Sequence, residues 1–126
     1  MGKEKIYSEP PTQPEDEKKA DLIEDFRAAL RGPSHPYHTL AVALLGAYHQ
    51  AAHGKGDVRH ANDRPFEEQP MQAAADLMQS ADGLLFQAIK KNNESRALPA
   101  EAAIHELYGA IIYTAGAILY LRRSRT

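Results

Sequence analysis

His49 and His53 stand four residues apart, so a helix would place both rings on one face, the geometry by which helical histidine pairs hold zinc or another borderline metal. Gln50 occupies the position where a metallohydrolase of HExxH type carries its glutamate. A third ligand would have to come from Asp57, His60 or His105. A lone pair at this spacing is more often two surface or half-buried histidines, so it is a weak metal candidate and no cofactor is expected. His35 and His38 flank Pro36, where local turn chemistry explains them.

The segment from residue 53 to 70, HGKGDVRHANDRPFEEQP, follows directly. Gly54 and Gly56 around Lys55 permit a tight turn with exposed amides, Arg59 and His60 come as a pair, and Phe66 offers an apolar anchor. The spacing of a phosphate-binding loop and its preceding strand are both missing. Helix connections usually take about two to eight residues. At sixteen, this one is expected either to carry function or to be a plain solvated linker.

Gln87, Lys90, Lys91 and Glu94 are related by helical spacings and form one polar strip, with Gln87 set among Leu85, Phe86 and Ile89. Glu106 lies between Ile104 and Leu107 on the helix expected to be most buried, where an unpaired carboxylate would be unfavourable. Arg59, His60 or Lys90 could supply its counter-charge. A purely structural tie between loop and helices would explain the same residues. The candidate binding residues are therefore Arg59, His60, Gln69, Gln87, Lys90, Glu94 and Glu106. No catalytic residue is assigned: the serines lack a nucleophile elbow, and Glu67 and Glu68 are adjacent and point apart.

The elements that must position these groups read as helices throughout. Glu15 to Arg31 has acidic residues near its start, basic ones near its end, and Leu22, Phe26 and Leu30 at four-residue spacing. Gly32 and Pro33 stop it. A second helix begins near Pro36, carries Leu40, Leu44 or Leu45, and Tyr48 on one face, and ends at Gly54. A third runs from Pro70 to Lys91 with Met71, Ala74, Met78, Ala81, Leu85 and Ala88 as its seam. A fourth starts at Pro99 with Ile104, Leu107, Ile111, Ile118 and Leu121 facing inward. No period-two pattern indicates a strand. The expected fold is all-α, a four-helix antiparallel bundle over 15–126 with a long loop between helices 2 and 3, preceded by a flexible, proline-rich tail over 1–14.

The strings GKGDVRHANDRPFEEQP, QAIKKNNES and HELYGAIIY together resemble a group of small proteins of tailed bacteriophages and prophages, over residues 53 to 121. The pattern is a Gly-and-basic segment with Arg-His, a Phe-Glu-x-Gln, a Gln-Ala-x-Lys-Lys with Glu-Ser, and a Glu-Leu-x-Gly-Ala-Ile-x-Tyr. The resemblance implies a phage or prophage origin and places Arg59, His60, Gln69, Gln87, Lys90, Glu94 and Glu106 at the pattern's polar positions; it carries no activity with it. A fainter similarity to the all-α nucleoside triphosphate pyrophosphohydrolases fails on their paired glutamates. Glu101 and Glu106 are five apart and Asp76 and Asp82 six apart, spacings that do not stack carboxylates on one face.

Composition narrows the function further. The formal charge of -2 gives no global pull toward nucleic acid, and the only compact basic run, RRSR at 122–125, reads as a helix end. Cysteine is absent, which excludes thiolate chemistry and fits a reducing cytoplasm, here that of a bacterial host cell. The apolar run Leu107 to Leu121 is fifteen residues, shorter than a spanning helix needs, so a core helix rather than a membrane segment is expected. The leading expectation is a non-enzymatic protein that binds a host or phage macromolecule as inhibitor or accessory factor, with homodimerisation through the fourth helix. The competing expectation is a nucleotide- or phosphate-binding bundle or hydrolase, with the 53–70 loop folded over a pocket between helices 3 and 4.

Overall fold

A computed structural model of the chain describes residues 13–54 and 64–124, and every regular element among them is helical. The expected tail over 1–14 falls almost wholly outside the described residues. The chain divides into two compact units, Met1–Ala43 and Leu44–Thr126. Five α-helices follow in order: α1, Gln13–Arg31; α2, His38–His53; α3, Pro70–Met78; α4, Asp82–Ser95; and α5, Ala100–Ser124. A short 3-10 turn, Phe66–Glu68, precedes α3.

The first unit is organised by its turn. The Gly32 amide donates to the Ala28 carbonyl at 2.9 Å, closing α1 where Gly32 and Pro33 were expected to stop it. The Tyr37 amide donates to His35 Nδ1 at 3.0 Å, which requires the neutral ring to carry its proton on Nε2, 3.3 Å from Asp25 Oδ1. His38 Nδ1 lies 2.7 Å from the Ala29 carbonyl oxygen and so must be the donor there. Both histidines serve the turn, as their position beside Pro36 implies.

In the second unit the long third helix of the sequence reading is two helices. Gln79 adopts a left-handed conformation at φ 54° and ψ 40°, its amide donates to Asp76 O and the Ser80 amide donates to Ala75 O. These are the two hydrogen bonds of a Schellman terminus. Ser80 Oγ then accepts the Asp82 amide at 2.9 Å and starts α4. Ser80, Asp82 and Gly83 are turn-forming residues, and their signal is masked in the sequence by an apolar spacing that runs through them. The break re-phases the buried face: Ala75, Ala81, Leu84 and Ala88 are buried, while Ala74, Met78 and Leu85 of the expected seam are exposed.

A second correction concerns α5. Its buried residues are Gly109, Ala110, Gly116 and Ala117, two small pairs seven apart, whereas Ile104, Leu107, Ile118 and Leu121 of the expected inward row are exposed. The buried positions of α4 are Leu84, Ala88 and Ser95, with half-buried Lys91 between the last two, so the spacing is four, three and four. Small residues let α4 and α5 approach closely, and that pair is the most extensive helix contact in the chain. A Cβ on Gly116 would lie 2.8 Å from Met71 Sδ, and one on Gly109 would lie 2.7 Å from Lys91 Cδ. Both glycines are notches that receive a long side chain from a neighbouring helix.

Gln72 occupies the first notch and is 1% exposed, the most deeply buried large side chain. Its Nε2 donates to the Gly116 carbonyl at 2.9 Å, while its Oε1 accepts from Arg123 Nη2. Arg123 Nη1 also donates to Asp76 Oδ1 at 2.9 Å, and its guanidinium lies 5.5 Å from the centre of the Tyr120 ring. Every polar atom of the Gln72 amide head that faces protein is thereby engaged, as burial demands.

Two stability measurements follow. Gln72→Ala removes a buried side chain and its hydrogen bonds, and should lower the unfolding free energy by about 2 kcal/mol in urea titration. Gln79→Gly should raise it by about 0.5 to 1 kcal/mol, because glycine adopts the left-handed terminus without the steric cost that glutamine bears.

Candidate functional site

The second unit contains a cleft of about 500 Å³ walled by residues of α2, α3, α4 and α5 and by the turn before α3. The close α4 and α5 pair creates its floor, where Gly109 leaves room for the Lys91 stem. Toward that end lie Gln50, Gln87, Lys91 and His105; toward the other lie Met71, Ala75, Met78 and Leu84. Phe66 and Gln69 line the same cleft, so the described end of the 53–70 segment does reach it, and Phe66 acts as the apolar anchor its sequence context suggests. A second, more apolar cavity of about 570 Å³ shares Ala51, Phe66, Gln69 and Ile112 with the first and adds Leu44, Tyr48 and Ile111.

Six of the seven candidate residues from the sequence fall into three groups. Gln69 and Gln87 are brought together as walls of the cleft, both half-buried. Gln69 Nε2 donates to the Arg64 carbonyl at 3.1 Å, and Gln87 makes no side-chain hydrogen bond among the described residues. Lys90 and Glu94 instead pair with each other on an exposed face of α4, with Lys90 Nζ 3.9 Å from Glu94 Oε2. The polar strip is thus split, because adjacent helical residues diverge by about 100° and Lys91 turns inward where Lys90 turns out. Arg59 and His60 lie outside the described residues.

Glu106 has the partner that its apolar neighbours call for, but that partner is Lys91. The Lys91 ammonium is 3.3 Å from Glu106 Oε1, with the two side chains 27% and 24% exposed. It also lies 6.0 Å from the centre of the Tyr113 ring, a further wall of the cleft. The periodicity of Leu84, Ala88 and Ser95 places Lys91 on the buried face and so could have found it. Gln50 has a role that its sequence context does not signal: its Nε2 donates to the His105 carbonyl at 3.2 Å and ties α2 to α5.

The rings of His49 and His53 stand 5.2 Å apart, side by side on α2 as their spacing requires. No third histidine, aspartate or glutamate joins them among the described residues. Among the described residues, the cleft walls offer an ammonium, amide groups and an apolar end, and carry no pair of carboxylates. No family model matches this sequence, and neither a curated protein nor a solved structure matches the chain.

The Lys91–Glu106 pair is open to a double-mutant cycle. Lys91→Met and Glu106→Gln each leave one half-buried charge alone, and the cycle measured by chemical denaturation should give a coupling energy of about 1 kcal/mol. Lys90→Met with Glu94→Gln, on the exposed side of the same helix, should give about 0.3 kcal/mol.

Proposed function

We infer that this chain is a non-enzymatic binding protein of phage type, whose exposed apolar helix faces are covered by another protein in the cytoplasm of a bacterial host. One observation carries the reading: the helices bury their alanines and leave their large apolar residues outside. Ala29, Ala41, Ala47, Ala75, Ala88, Ala110 and Ala117 are buried, whereas Phe26, Tyr48, Phe86, Ile89 and Ile118 are all exposed, Ile89 at 67%. Scattered exposed leucines need no explanation, but rows of them on successive helices are the surface expected of a chain that associates. Leu85, Phe86 and Ile89 form such a row on α4, and Ile104, Leu107, Ile118 and Leu121 another on α5. The α5 row supports homodimerisation through that helix, and the resemblance of residues 53–121 supports the phage origin.

α5 is also long and apolar enough to cross a membrane by length and composition, with 22% of its most apolar window buried. A helix whose apolar side packs against a protein partner has the same composition, and its half-buried Glu106, paired to Lys91, favours the protein partner over lipid. The phosphate reading needed Gln87, Lys90 and Glu106 to converge on one pocket. Of the three only Gln87 lines the cleft, so the structure lends that reading less support.

Light scattering of the purified chain tests the proposal. Self-association through α5 should give a multiple of 13.9 kDa, and Leu107→Lys with Ile118→Lys should return the monomer mass with unchanged helical circular dichroism. A monomer that binds an apolar dye strongly would assign the surface to a different protein. A monomer that binds none would overturn the reading.

A further inference from the structure

We propose that the cleft of the second unit binds an anionic amphiphile, a carboxylate on an unbranched apolar chain, independently of any protein partner. Three observations combine. The cleft has a polar end and an apolar end. Gly109 marks the first by its contact with Lys91, and Leu84, one of the wall residues, belongs to the second with Met71 and Met78. On α4 the wall residues Leu84 and Lys91 are seven residues apart, about 10 Å at 1.5 Å per residue, the extended length of an octanoate-sized chain.

The charge of the wall sets the sign of the head group. Lys91 and His105 line the cleft and, among the described residues, no aspartate or glutamate does. Glu106, the counter-ion of Lys91, is not a wall residue and engages the ammonium from the α5 side. An ammonium has three donors, so two remain after the bond to Glu106. Gln87, with no hydrogen bond of its own among the described residues, adds an amide donor one helical turn away. A carboxylate placed there accepts from Lys91 and Gln87 without meeting a like charge in the wall.

The apolar end selects the body of the ligand. Met71 and Met78 are unbranched and adaptable, and with Phe66, Ala75, Leu84 and Ile112 they form a surface that gains nothing from a hydrated phosphate but buries an alkyl chain. Small residues leave the space open: Ala74 and Ala75 stand on the wall where larger side chains would fill it. A chain of this kind removes apolar surface from water at both ends of the contact, while the ammonium fixes its direction.

The test uses the full chain and octanoate below its micellar concentration, followed by calorimetry and by amide chemical shifts. Octanoate should bind and shift the amides of Gln87, Lys91 and Gly109, whereas octanol should bind at least tenfold more weakly and inorganic phosphate should not compete. Ala74→Phe, an exposed wall position whose new ring would fill the cleft, should abolish binding with helicity unchanged. Lys91→Gln combined with Glu106→Gln should remove the preference for octanoate over octanol while leaving alkyl binding in place. Absence of octanoate binding to the native chain, equal binding of octanol, or displacement by phosphate would each overturn the proposal. Because these readings concern a small molecule and the native chain alone, they stand or fall apart from the mass measurement that tests the protein partner.

Discussion

The second unit depends on how closely α4 can lie against α5. Gly109, Ala110, Gly116 and Ala117 give α5 a face without bulk, and the neighbouring helices respond with long side chains in the notches. Met71 and Gln72 enter at Gly116, and Lys91 enters at Gly109. Two of those three side chains are polar, so each notch must also supply hydrogen-bonding partners. Gln72 finds the Gly116 carbonyl and Arg123; Lys91 finds Glu106. Close packing and polar satisfaction are therefore one constraint here, since removal of either glycine's open space would also displace a paired polar group.

A core built from small residues has a consequence for the rest of the surface. Alanine removes little apolar area from water, at roughly 25 cal/mol per Å², so a face of alanines supplies less driving force than a face of leucines. Leu84 apart, with Met71, Tyr113 and Tyr120 packed beside it, many of the large apolar residues sit on exposed faces, where within a single copy they contribute little. The sequence contains enough apolar material for a heavier core, yet uses it outside. The same arrangement leaves the cleft, because the alanines of its wall, Ala74 and Ala75, do not reach across the space that α3, α4 and α5 enclose. The exposed rows and the cleft thus share one origin.

That origin explains what the sequence does and does not disclose. Helical content, the stop at Gly32 and Pro33, the turn roles of His35 and His38, the starts at Pro70 and Pro99, and the need of Glu106 for a counter-charge are local properties, and all are legible. Which face of each helix is buried is not local. Periodicity marks a face by its largest apolar residues, and on α5 the marked face, with Leu107 and Ile118, is exposed, while the buried one carries Gly109 and Gly116. For the same reason the spacing points to Lys90, although Lys91 is the lysine that turns inward to Glu106. The break at Gln79 was hidden for a related reason: Met71, Ala74, Met78 and Ala81 keep an unbroken spacing across a turn that Ser80 and Asp82 specify.

Seen from the site, the inversion makes physical sense. A cleft able to accept a chain-like ligand would need walls that do not already fill it, and a helix that met a second protein, as proposed, would need its large apolar residues outward. One buried stripe of glycine and alanine on α5 meets both needs, provided that the few long side chains crossing it are fixed. Gln72 is fixed by two partners and Lys91 by Glu106, which leaves the ammonium held in place at the cleft wall instead of free to swing into solvent. An ion pair of this geometry adds little net stability. Its value lies in position: with Glu106 holding Lys91 from the α5 side, the donors that remain are presented at a defined point beside Gln87, and a head group meeting them need not order the lysine first.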